Sequence, residues 1–208
     1  MDTPRATWRN TTHDWAGTVD RGHLEHIRRD RAALAPGGTL HLILEVVAYA
    51  ADEAETGHGG LCRITLHPDG SVAVADNGRG TDTRVDDTGR TVRKPVMATK
   101  DLRFFDDPEA PPLPDGHPRR GMSVVAALST WLTHTNRRLG GSWTQRYEHG
   151  VPTTDLRPVP DDLTTGTTVH FLPDHPPRTA GGPAPDDLAR LTRWWPHLAV
   201  TVDDRRGS

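Results

Sequence analysis

The stretch TLHLILEVVAYAADEA, from Thr39 to Ala54, decides how the chain reads. Leu40, Leu42, Ile43, Leu44, Val46, Val47, Ala50, Ala51 and Ala54 recur at helical spacing with no Gly or Pro between them, so the stretch reads as a mostly buried helix. One polar stripe runs along it. At about 100° per residue, His41, Glu45, position 48 or 49, and Asp52 fall on a common face. Two readings suit a carboxylate there. Glu45 and His41 form an ordinary i, i+4 pair at a solvent edge, or Glu45 is a general base tuned by burial and steadied by His41 one turn earlier.

Outward from this helix, LEHIRRDRAAL (Leu24 to Leu34) reads as a short helix that stops at APGG, and Thr39 as the N-cap of the long one. LCRITLH and SVAVAD alternate around the turn at Pro68 to Gly70, which predicts a hairpin whose second strand runs into DNGRG. Thr81 to Lys94 is polar and loop-like. Prolines 108, 111, 112, 114 and 118 make the next segment a stiff loop with no helix. GMSVVAALSTWL, Gly121 to Leu132, reads as a second apolar helix. A hairpin turning at Gly140 and Gly141, a strand GTTVHFLP, a helix DDLARLTRWW and a strand LAVTVDD complete the order, with Trp194 and Trp195 expected in the core. Helices and hairpins are mixed without βαβ alternation. The fold class is α+β, with helices layered on one face of a sheet.

Composition narrows the function classes. The 208 residues suit one domain, read as 23–208 behind a weakly structured arm, 1–22, anchored by Trp8 and Trp15. With 34% hydrophobic and 25% charged residues and a net charge of -3, there is no global pull toward nucleic acid or membrane, and direct DNA binding is not expected. One cysteine, Cys62, excludes a disulfide framework and a cysteine-rich zinc site. No signal peptide or long apolar run is seen, so a cytoplasmic location is the expectation.

Three features separate in sequence suit one pocket. Glu45 lies on the helix. Asp76 opens DNGRG directly after a strand, where Gly78 and Gly80 let the chain turn and a ligand approach, and its carboxylate suits an exocyclic amine such as that of adenine. Gly116 and Gly121 precede a helix at Met122, where free backbone N–H groups suit phosphate. Each alone also fits an ordinary turn or loop.

Taken in order, EVVxxAxDEA, TLHPDGSVAVADNGRG, SVVAALS, QRYEHGVP and TGTTVHFLPD resemble the ATP-binding domain of the DNA gyrase B protein, in the GHKL superfamily. The resemblance runs from about Leu24 to Asp204. It implies a Bergerat-type two-layer sandwich, helices on one face of a mixed, mainly antiparallel sheet, with ATP or ADP held under a glycine-rich lid. By resemblance Glu45 is the catalytic base and His41 its support. Asp76, helped by Thr167, reads the adenine amine, and Gly78 shapes the pocket. Arg79 covers the adenine edge. Arg138, with Asp76 and Arg79, is where aminocoumarin inhibitors would bind. Gly116 and Gly121 mark the ends of the lid glycines.

The departures from the family are as informative. Ala48 and Tyr49 stand where the family has Asp and the Asn that binds Mg²⁺. A phenol does not replace an amide carbonyl in an octahedral shell, so metal binding is expected to be weakened or lost. The lid GLHGVG is GHPRRG here, and Pro118 lacks an N–H. Arg119 and Arg120 either pair with phosphate or fill its space. The lysine that a following domain supplies in gyrase is not in this sequence. The expectation is an adenine-nucleotide-binding, stand-alone divergent paralogue with weak or partner-dependent hydrolysis and no strand passage of its own. The alternatives are a non-catalytic nucleotide or aminocoumarin sensor or sequestering protein, and a paralogue that acts on gyrase or topoisomerase subunits.

Overall fold

The computed structural model describes residues 19–56, 59–81, 83–85, 89, 91–93, 96–139, 141–174 and 182–207. Trp8, Trp15, most of the expected N-terminal arm, and Lys94 lie outside them. The long helix, α3, spans Thr39–Thr56 after two short helices, α1 (Arg21–Arg29) and α2 (Arg31–Leu34). Helix α1 begins ahead of Leu24 because the Asp20 carboxylate accepts the His23 N–H at 2.9 Å, a cap that sets the first turn. At the start of α3 the cap is Gly38, not Thr39. Gly38 has φ of +60° and its carbonyl accepts the Leu42 N–H at 3.1 Å.

The expected first hairpin is present as β1 (Gly60–Leu66) and β2 (Val72–Asp76), in register from Cys62 opposite Asp76 to Leu66 opposite Val72. The polar segment after Thr81, read as loop, instead contains β3 (Thr83–Val85) and β4 (Thr91–Arg93), an isolated antiparallel pair. The helix expected over Gly121 to Leu132 is half right. Helix α4 covers Met122–Ala127, and the chain then becomes β5 (Ser129–Arg138). Ser129 Oγ bonds back to the Val125 carbonyl at 2.7 Å and ends the helix, while Thr130, Trp131, Thr133 and Thr135 favour a pleated strand.

Strands β6 (Gly141–Glu148), β7 (Val151–Pro152), β8 (Arg157–Pro158), β9 (Gly166–Pro173) and β10 (Leu198–Asp204), with helix α5 (Pro185–Leu191) and a 3₁₀ turn at Thr192–Trp194, complete the chain. The sheet order is β10-β1-β2-β9-β5-β6-β7, with β8 also on β6, and only the β1–β10 pairing is parallel. The result is the expected α+β architecture with a mixed, mainly antiparallel sheet. One face of the sheet supplies Ile64, Val74, Val169, Phe171 and Leu132 to a core shared with Leu24, Ile43, Val47 and Val125 of the helices. The two neighbouring tryptophans divide. Trp195 packs on the core, whereas Trp194 is 61% exposed. No helix among the described residues is long and apolar enough to cross a membrane.

Candidate functional site

The polar stripe of α3 faces inward. His41 and Glu45 are fully buried, which removes the solvent-edge reading of the pair. His41 Nδ1 lies 2.8 Å from Asp115 Oδ2, and its Nε2 faces Glu45 Oε1 at 3.6 Å, beyond a hydrogen bond. Gly37 makes this approach possible, because a Cβ there would stand 2.8 Å from Asp115 Oδ2 and 3.0 Å from the His41 Cβ. Glu45 accepts two backbone N–H bonds, from Arg120 at Oε1 and from Gly121 at Oε2, the latter 3.1 Å long. Burial pushes its carboxyl above the ordinary range, opposed by His41 and by these N–H groups.

One turn on, Tyr49 donates its hydroxyl to Asp101 Oδ2 at 2.5 Å. The Arg119 guanidinium lies 4.6 Å from the Tyr49 ring centre and 4.2 Å from that of Phe104, and it forks onto Asp52 at 2.9 and 2.8 Å. Arg103 pairs with Asp101 at 2.9 Å and lies 4.4 Å from the Phe104 ring. Arg120 turns its side chain away, bonding the Phe105 carbonyl at 2.9 Å. So Arg119 lies among the stripe residues, held by a carboxylate of the protein itself. The segment expected to form the lid is a tight turn, with Pro112 bridged to Pro118 and the Leu113 N–H donating to the His117 carbonyl at 2.8 Å. Gly116 sits in that turn at φ +82°, while Gly121, at φ +101°, has no room for a side chain because a Cβ would lie 2.9 Å from Asp101 Cβ.

Strand β2 delivers Asp76 to the other end of the site. Its Oδ1 accepts the N–H groups of Gly78 at 2.8 Å and Thr167 at 3.3 Å, and its Oδ2 accepts the Thr167 hydroxyl. A carboxylate offers about four lone-pair positions, so one stays available to a ligand donor. Gly166 is what lets β9 come this close, since a Cβ on it would stand 2.0 Å from the Asp76 carbonyl oxygen. These residues border a cavity of about 300 Å³ whose lining includes Val46, Met97, Met122 and Val169 beside Asp76 and Thr167. Arg79 lies at its rim, paired with Glu53 at 2.7 Å. Arg138 is not part of this lining; its Nη1 donates to the Gly80 carbonyl at 3.2 Å. Cys62 is buried, and burial, with Asp76 nearby, pushes its thiol up to about 12, which removes it as a nucleophile.

The structure therefore brings His41 and Glu45 together in one buried group, and Asp76, Arg79 and Thr167 in another around the cavity. Gly78 lies beside Asp76, whereas Gly116 is not part of the cavity lining. Sequence reasoning missed Asp115, Asp101, Arg103 and Phe104. Charge pairs such as Asp101 with Arg103 carry no periodic signal, and the Asp115 contact depends on a glycine far upstream. The magnesium fit is poor on this side, because the Tyr49 hydroxyl is held by Asp101 and offers no amide oxygen. Among the described residues no cluster of three or more His, Cys, Asp or Glu side chains is set to hold a metal ion.

No family model matches the chain. Curated relatives do. The chain is 38% identical to the DNA gyrase B protein of Thermotoga maritima over 138 residues, 66% of this chain and 22% of that protein. It is 35% identical to the DNA topoisomerase 4 B protein of Bacillus subtilis over 138 residues, 66% of this chain and 21% of that one. Against the DNA gyrase B protein of Haloferax volcanii the identity is 38% over 165 residues, 73% of this chain and 25% of the relative. The chain thus spans between a fifth and a quarter of the length of these relatives. With an α+β sandwich of the expected layout beneath these matches, the chain is a gyrase-B-like domain, similar over about two thirds of its length to the DNA gyrase B and topoisomerase 4 B proteins.

Proposed function

We propose that the chain binds an adenine-type ligand in the cavity beside Asp76, and that ATP hydrolysis by this domain is weak, awaiting a partner able to open the lid. The observation that carries the binding reading is the Asp76–Thr167 pair at the wall of a cavity of about 300 Å³ that also has an apolar side made by Val46, Met97, Met122 and Val169. The apolar side suits the face of a flat heterocycle, and an ionised acceptor suits its amine. Glu45 and His41 are the general-base candidates, but Glu45 is fully buried behind the Arg120 and Gly121 N–H groups that it accepts, so in this arrangement solvent water does not reach it. This observation favours the second reading, a reader of adenine nucleotides or aminocoumarin-like molecules without turnover. Gyrase or topoisomerase subunits are the partners that the resemblance suggests.

Calorimetric titration with ADP and ATP, each with and without magnesium, tests the reading. Binding that is indifferent to metal and lost in Asp76→Ala is expected, a weakening of about 10- to 100-fold for a charge-assisted bond. Robust magnesium-dependent turnover by the purified chain would overturn the low-hydrolysis part.

A further inference from the structure

We infer that the cavity takes an adenosine-class ligand, a purine base with at most its sugar, and excludes a polyphosphate tail, with Arg119 as the residue that enforces the exclusion. The inference rests on the adenine reading above and narrows it to a ligand class.

Four observations converge. The Arg120 and Gly121 N–H groups, which would receive an anion beside α3, already hold the Glu45 carboxylate, so the protein carries its own anion at that point. Arg119 is 5% exposed, forked onto Asp52 and stacked against Tyr49 and Phe104, so the space next to Glu45 is filled and its cation is neutralised. The charged residues described in the cavity lining are Asp52, Glu53 and Asp76 against Arg79 and Arg103. Both arginines are paired, Arg79 to Glu53 at 2.7 Å and Arg103 to Asp101 at 2.9 Å. Among the described residues a polyanion would therefore meet more acids than bases, with both arginines committed to carboxylates, and like charges brought together in a poorly screened site repel strongly. Finally, about 300 Å³ lies at the low end of the roughly 300–1,000 Å³ of small-molecule sites, a size that suits a purine base with its sugar.

Arg119 decides the outcome because its removal opens the space without touching Asp76. Truncating it deletes the plug over Tyr49, and neutralising Asp52 at the same time keeps the charge of the lining from becoming more acidic.

The test is a titration series on the purified chain with adenosine, AMP, ADP and ATP, in chelator and again in magnesium. Adenosine binding at least about tenfold tighter than ATP, with AMP and ADP between them, is the expected result. ATP binding as tightly as adenosine, or tighter, and lost in Asp76→Ala, would overturn the exclusion while leaving the adenine reading standing. Failure of all four compounds to bind would overturn both. Arg119→Gly combined with Asp52→Asn, which opens the space without adding a net negative charge, is expected to shrink the adenosine preference to under about threefold; a folded double variant with an unchanged preference would remove Arg119 from the role. Should that variant not fold, the series on the natural chain still decides the ligand class.

Discussion

Asp115 Oδ2 lies 2.8 Å from His41 Nδ1, and this bond aims the opposite ring nitrogen at Glu45. The carboxylate accepts the Nδ1–H, fixing the ring orientation in the manner of a carboxylate–histidine pair. Burial alone would raise the Asp115 carboxyl, yet the hydrogen bond and charge of His41, with the His117 N–H, outweigh it and hold it below its ordinary 3.8. A depressed acid contributes stability above its unfolded value, and that contribution is lost as pH falls below 3.8 through the lower folded value. Asp115→Ala is expected to cost about 1–3 kcal/mol at neutral pH, because it strands a buried ring nitrogen. Urea denaturation measures it, and an unchanged midpoint would count against a latch between lid and helix.

Gly166 is the tightest point of the site. Its φ is +123°, and an added Cβ would stand 2.0 Å from the Asp76 carbonyl oxygen, a backbone atom with little freedom to move. Gly166→Ala is expected to lose about 3 kcal/mol or more of stability and to displace Asp76 from Thr167. Chemical denaturation paired with an adenosine titration would show both losses together.

Tyr49 separates packing from hydrogen bonding. Tyr49→Phe keeps the ring beneath Arg119 and removes a bond to Asp101, which still has Arg103, so about 1 kcal/mol is expected. Tyr49→Ala removes the ring as well and is expected to cost about 3–5 kcal/mol. Tyr49→Asn supplies an amide oxygen and is expected to make nucleotide binding respond to magnesium; equal affinities with and without metal in that variant would argue against it.

His23 predicts a slope in stability with pH. Burial lowers its pKa from 6.5 to about 4, with the nearby charges of Asp20, Lys100, His26 and Asp106 partly offsetting one another. Its Nε2 lies 2.9 Å from Ser123 Oγ, and its ring packs edge-on to Phe105 at 4.3 Å. A lowered histidine pKa gives stability that is complete above 6.5 and is lost as pH falls through about 4. Thermal unfolding followed across that window should show the loss, and His23→Leu should flatten it.

What the sequence made legible was local. The helix at Thr39, the hairpin ending in DNGRG and the GTT strand each announce themselves within a few residues, through periodicity or turn chemistry. Asp76 and Gly78 were singled out because they sit in such a stretch and Thr167 because of the resemblance, and the structure brings Asp76 and Thr167 into hydrogen-bond contact. GMSVVAALSTWL misled because its apolar run continues past Ala127 while its backbone does not; Ser129 ends the helix and the threonines beyond it pair with β9. The Arg119, Asp52, Tyr49 and Phe104 assembly was out of reach for another reason. Its members come from α3 and from two separate parts of a proline-rich loop, and no local propensity encodes their meeting.

The parallel pairing of β1 with β10 has a kinetic side. Gly60 faces Leu198 and Leu66 faces Asp204, partners separated by well over half of the chain. Closing so long a loop is entropically slow, and contacts of this separation lengthen folding times more than they change stability. As the polypeptide leaves the ribosome, the β1–β2 hairpin is complete long before its outer neighbour exists. Until Leu198 to Asp204 emerge, β1 presents an unpaired edge carrying Leu61 and Ile64, the kind of edge that captures other chains. The last strand therefore acts as a timer: its arrival ends the interval in which this sheet can pair with the wrong partner.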